Sequence, residues 1–309
     1  MNEAAKETGR VAPALGAPLA GSQPAAGRNV NPLWRAASFT VLLYAVWMTV
    51  LGLFHPHLGW FSAPGFDARP LLLYLCLDGL ALGLSAAYHC GLDGRRYQTL
   101  GLGFSPGWLR HATAGLAWGA GVISGTVLLL VVFRAASLAT ARAMPSVHDV
   151  SLVVFLLLAA AFEELAFRGY AFARAAEAIG PAATICASSV LFGYAHYGNP
   201  EATLLSTANT VLAGVLLAVA RWRSRGLWMP IALHFAWNFL LGPVFLFPVS
   251  GYTFGVAASS PAAGPVWMTG GQYGPEGTAA LTAVVAVAIA LLSRMPLPVA
   301  SNQADSGVD

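Results

Sequence analysis

Eight stretches of this chain are apolar for about the length of a membrane crossing, and that limits its fold more than any other feature. A hydrocarbon core about 30 Å thick takes roughly 20 residues of helix. Runs near that length lie at 36–54, 70–89, 112–133, 151–170, 182–199, 202–220, 227–249 and 277–293, the fifth being the weakest. In lipid every backbone N–H and C=O must be bonded within the protein, so each run is read as a helix. Charged residues are 9% of the 309, against about 25% in soluble domains, which excludes a large water-soluble core. The expected fold is an all-α polytopic membrane protein with eight transmembrane helices.

The segments between the runs carry the breakers: HPHLGWFSAPG, GLDGRRYQTLGLGFSPGW, Gly180-Pro181, Gly198-Asn199-Pro200 and the Gly/Ser/Pro-rich stretch 250–276. Residues 1–31 and 297–309 lack apolar runs and are expected to be disordered tails around one membrane domain, 32–296. The first apolar run has spanning length, so it is expected to stay as a helix rather than to act as a cleaved signal. With an N-terminus in the cytoplasm, thirteen Lys and Arg fall on inside segments and only Arg69, Arg134 and Arg142 outside. That asymmetry predicts both termini inside. A net charge of +3 without a basic run speaks against nucleic acid as a partner, and Cys76, Cys90 and Cys186 show neither disulfide nor zinc-finger spacing.

One of these runs ends in charge. SLVVFLLLAA leads into FEELAFRGYAF, which puts Glu163, Glu164 and Arg168 on one apolar helix. Each such group costs about 2.5–3.5 kcal/mol on insertion scales, so each needs a partner or a wet cavity. Glu164 and Arg168, four apart with the acid first, form a favourable pair on one face. Glu163 points about 100° away and is left over. LFGYAHYGN offers it His196, and IALHFAWNF offers His234 and Asn238, one turn apart on one face. Folding the chain at Gly180-Pro181 brings Glu163 and His196 level, with the hairpin tip and its Arg168, Arg174 and Glu177 projecting into the cytoplasm.

Together these residues resemble the signature of the CAAX prenyl protease and bacteriocin-processing (CPBP, or Abi) intramembrane proteases. EELAFRG matches Glu-Glu-x-x-x-Arg, Phe192 to His196 matches Phe-x-x-x-His, and His234 to Asn238 matches His-x-x-x-Asn, over a core of about 150–242. The resemblance implies an intramembrane endopeptidase in which Glu163 is the general base, helped by His196. In that scheme His234 and Asn238 donate to the oxyanion, and Glu164 with Arg168 orients the helix. It implies membrane lipid and a peptide or membrane-protein substrate as partners, and no cofactor. A zinc ion on Glu163, His196 and His234 is the alternative. It also implies a multi-pass protein of a cell membrane, the cytoplasmic one in a bacterium.

Other readings stay open on the residues alone. The acids and Arg168 are also explained as a helix-packing salt bridge, and Asn238 as an interhelical contact. Glu163 with the two histidines would serve a transporter or proton-coupled carrier as a relay, though no inverted repeat is visible. A non-catalytic membrane scaffold is the third class.

Overall fold

A computed structural model describes residues 30–54, 67–104, 107–139, 147–253 and 260–295. Apart from Val30 and Asn31, the two tails expected to be disordered lie outside the described residues, as do His55 and His57. The helices in chain order are α1 (Pro32–Phe54), α2 (Arg69–Ala86), α3 (Trp108–Val132), α4 (Val147–Arg168), α5 (Tyr170–Ile179), α6 (Pro181–Ala195), α7 (Leu204–Ser224), α8 (Trp228–Phe239), a single turn α9 (Val266–Thr269) and α10 (Ala279–Arg294), and the eight apolar runs fall on all of them but α5 and α9. A π-helical turn extends α2 to Leu92, and another extends α8 to Val244. Five helical segments are long and apolar enough to cross a membrane, while α6 and α10 are shorter apolar helices. The only strands among the described residues are β1 (Ala136–Ser137) and β2 (Ser260–Pro261), paired antiparallel with Ala136 opposite Pro261.

Two apolar cores meet at α8. Val122 and Ile123 of α3, Leu216 and Leu217 of α7, Met229, Leu233 and Trp237 of α8, and Leu281 and Val285 of α10 form one. Phe39 and Leu43 of α1, Leu73 and Leu77 of α2, Leu152, Leu156 and Phe162 of α4, and Ile231 of α8 belong to the other. The seam between them runs where α4 faces α8. Close approach of α3 holds α8 in place: a Cβ at Gly115 would sit 2.3 Å from the Met229 carbonyl oxygen, and one at Gly119 2.3 Å from that of Leu233. This is small-residue packing, the usual way membrane helices gain contact without a hydrophobic drive.

The hairpin expected from 163 to 196 is not one continuous rod. Gly169, at φ −81° and ψ −127°, breaks it and sends α5 off against α1. A side chain at Gly169 would collide with the Leu165 carbonyl, so glycine suits the break. The break frees the Arg168 carbonyl, and Arg221 Nε of α7 donates to it at 3.0 Å. Arg221 is therefore buried, 2% exposed, and is not a cytoplasmic surface charge.

Nor are the charges near the tip free. Arg174 lies buried against Asp93 (3.4 Å) and Glu177 (2.9 Å), Arg95 reaches Glu177 at 2.8 Å, and Asp93 also takes Arg35 at 2.6 Å and the Tyr170 hydroxyl at 3.2 Å. These pairs bind α1, the end of α2 and α5 into one charged layer.

Gly119→Ala should lower thermal stability in detergent by about 1–3 kcal/mol, the range for overpacking, because a backbone carbonyl has to move. Gly121→Ala, with nothing within 4 Å of its Cβ, should stay within about 0.5 kcal/mol of wild type.

Candidate active site

The site begins with one carboxylate oxygen. Glu164 and Arg168 are each 0% exposed, and Arg168 Nη1 donates to Glu164 Oε1 at 2.9 Å, as their i,i+4 spacing predicts. The same Oε1 accepts from His234 Nδ1 of α8 at 3.0 Å. Arg168 Nη2 donates to the Gly214 carbonyl of α7 at 3.2 Å, and its guanidinium lies 4.3 Å from the Phe192 ring of α6. One buried pair thus ties α4 to α6, α7 and α8. Sequence reasoning foresaw the pair but not its third member: Glu164 orients His234 directly.

A carboxylate bound to arginine only accepts, so His234 carries its proton on Nδ1 and turns Nε2 the other way. His196 is set by the same logic. It caps α6, and its Nδ1 lies 2.8 Å from the Phe192 carbonyl, again a group that only accepts. Both Nε2 atoms then face Glu163 Oε2, at 3.7 Å from His196 and 3.8 Å from His234. Those separations exceed a direct hydrogen bond. Oε2 itself is buried with no hydrogen-bond partner among the described residues. Glu163 comes from α4, His196 from the end of α6 and His234 from α8, and the fold assembles these three.

Asn238 joins by lining the same cavity as His196 and His234, together with Asn209, Ser250 and Glu276. The cavity measures about 30 Å³, room for about two waters at roughly 10–15 Å³ each. Among the described residues no three His, Cys, Asp or Glu side chains are grouped closely enough to hold a metal ion.

Several residues here were not singled out from sequence. The stretch 250–276 is more than a linker, since its described ends pack inward. Glu276 accepts from Trp237 Nε1 at 2.8 Å and from the Ser250 backbone N–H, and burial pushes its carboxyl above the usual range. Asn209 of α7 donates to the Glu276 and Thr278 carbonyls, both at 2.9 Å, and pins the start of α10. The Tyr252 phenol is raised by burial first and by the Glu163 charge second, so it stays protonated near that acid. Glu276 carries a signal that was legible: it is the one acid between Glu201 and Asp305. Gly251, at φ +84° with the Pro200 carbonyl where a Cβ would go, lets this segment close onto the loop between α6 and α7.

Removing one partner of the buried pair leaves a charge without compensation. Arg168→Met should cost about 3–5 kcal/mol, read as lost folded yield in size-exclusion profiles of the solubilised protein. Normal yield would contradict the three-way role of Glu164.

Residues 145–240 match the family described as "Rce1-like: Type II CAAX prenyl endopeptidase Rce1-like". No curated protein and no solved structure matches the chain. The matched segment runs from just before α4 to just past α8, so it holds Glu163, Glu164, Arg168, His196, His234 and Asn238 and leaves out Glu276. Five helical segments of the chain are long and apolar enough to cross a membrane, and the matched segment is similar to the CAAX protease family, also written CPBP.

Proposed function

We propose that this protein is a glutamate-dependent intramembrane endopeptidase that cleaves a membrane-associated protein or peptide. The observation that carries the reading is the trio of bare acceptors, Glu163 Oε2 and the two Nε2 atoms, within 3.8 Å of that oxygen. Three acceptors facing one another lack protons, and a water that donates two satisfies Glu163 and His196 and leaves His234 Nε2 open. A water so held is polarised toward hydroxide, and Glu163 is the base that takes its proton as oxygen attacks the peptide carbonyl. His196, its Nδ1 anchored on a backbone carbonyl, keeps the second proton in line.

The tetrahedral intermediate puts negative charge on the former carbonyl oxygen, and Asn238 donates to it. His234 donates as well where Nε2 has taken a proton from solvent before the attack, a proton it keeps through the reaction while Glu164 balances the imidazolium. Glu163 returns its proton to the leaving nitrogen, the C–N bond breaks, and an acid and an amine result. This division of labour rests on the family's chemistry and on the distances above.

Glu163→Gln keeps shape but cannot take a proton, so turnover should vanish while the protein elutes as a folded monodisperse peak. Asn238→Ala should slow it by about 10²–10³, as loss of an oxyanion donor does. The assay is cleavage of a fluorogenic farnesylated CaaX peptide by protein in nanodiscs. Strong chelation should leave the rate unchanged. A rate lost to chelator and restored by zinc would replace this mechanism with a metal one, and activity surviving Glu163→Gln would end it.

The same reading sets eight helices across the bacterial cytoplasmic membrane with both termini inside. Setting aside Arg168, Arg174 and Arg221, which are buried, ten inside cations still face three outside. Labelling at Ser22, Arg95, Arg223 and Ser301 should report cytoplasm, and at Ser260 the outside. A cytoplasmic signal at Ser260 would overturn the count.

A further inference from the structure

The proposed reaction accounts for Glu163 and Glu164 and leaves a third buried acid unexplained. Glu276 sits on the tight turn Pro275–Gly277 just before α10, 8% exposed and lining the cavity with His196, His234 and Asn238. Burying an acid without a cation is costly, and among the described residues no arginine or lysine pairs with it. Two neutral donors hold it instead, and each leads to a different half of the site. The Trp237 indole belongs to α8, between His234 and Asn238 in sequence. Ser250, whose N–H takes the second oxygen, gives its carbonyl to Asn199 Nδ2 at 3.0 Å, three residues past His196. The backbone carbonyl of Glu276 is itself held by Asn209 at 2.9 Å.

We propose that Glu276 is a positioning residue: its carboxylate clamps α8 to the segment behind His196 and so fixes where Asn238 and the two histidines stand relative to one another. A buried aliphatic side chain would fill the same space but offer neither acceptor. A mere filler would tolerate that change in the site; a clamp would not. The role in turnover rests on the endopeptidase reading, whereas the clamp itself does not.

Two readouts keep those apart. In nanodiscs, protein labelled with ¹⁵N at tryptophan and asparagine gives the Trp237 indole and the Asn238 side-chain amide, assigned from Trp237→Phe and Asn238→Ala. Glu276→Leu should expose the indole to rapid solvent exchange and move the Asn238 amide resonance. With the farnesylated CaaX peptide, kcat should fall by roughly 10²-fold, as for a catalytic group misplaced by about 1 Å, with KM little changed. Glu276→Gln keeps an acceptor for the indole and should retain its protected signal and most of the turnover. Should Glu276→Leu fail to fold, Trp237→Phe removes only the donor and should shift Asn238 and slow kcat in the same sense. An unmoved Asn238 resonance in whichever variant folds overturns the clamp. Unchanged kcat beside a shifted resonance overturns its role in the reaction. If the wild-type protein leaves the peptide uncut, the endopeptidase reading fails for that substrate and the resonances still decide the clamp.

Discussion

The oxygen Oε1 of Glu164, shared by Arg168 and His234, is the contact on which the rest of the site depends. Neither ion is exposed, so neither can turn to water if its partner is lost. Arg168 gives a second donor, Nη2, to the Gly214 carbonyl of α7. The break at Gly169 gives the Arg168 carbonyl to Arg221 of that same helix. A buried ion pair is weak evidence for stability in itself. Here it fixes a register: it determines which face of α4 meets α8, and thereby sends Glu163 to the side where both Nε2 atoms point.

Proton placement follows from that register. Each histidine has its Nδ1 committed to a group that can only accept, one a carboxylate and one a backbone carbonyl. The ring nitrogens that remain converge on Glu163 Oε2, which has no hydrogen-bond partner among the described residues. Behind them, the turn carrying Glu276 and the inward-packed Ser250 close the cavity against α7, with Asn209 fitting that wall to the helix and Gly251 fitting it to the loop before the helix. The site is therefore built by helices on one side and by a returning loop on the other.

Much of this was legible from residue spacing. Apolar run lengths located eight of the ten α-helices, all but α5 and α9, and the i,i+4 spacing identified the Glu164–Arg168 pair and the surplus of Glu163. What the spacing could not show was where a helix bends. Treating 151–179 as one rod made Glu163 and His196 level by length alone. The proximity is real, but the chain reaches it through a break at Gly169 and a separate α5. Arginines were misjudged for a related reason: Arg174 and Arg221 look like surface cations in a linear reading, and only tertiary contact with Asp93, Glu177 and a freed carbonyl buries them. Glu276 was passed over because a Gly/Pro-rich stretch resembles a solvent linker, and a single acid in it has no periodic partner to betray its burial.

The account stands or falls on the protons of two rings. Nitrogen NMR of ¹⁵N-histidine-labelled protein in nanodiscs, with His196 and His234 assigned by substitution, reports directly which ring nitrogen is protonated. At alkaline pH the account predicts both rings protonated at Nδ1 and bare at Nε2. A proton on Nε2 of either neutral ring would contradict it, because that ring would then turn a donor rather than an acceptor toward Glu163.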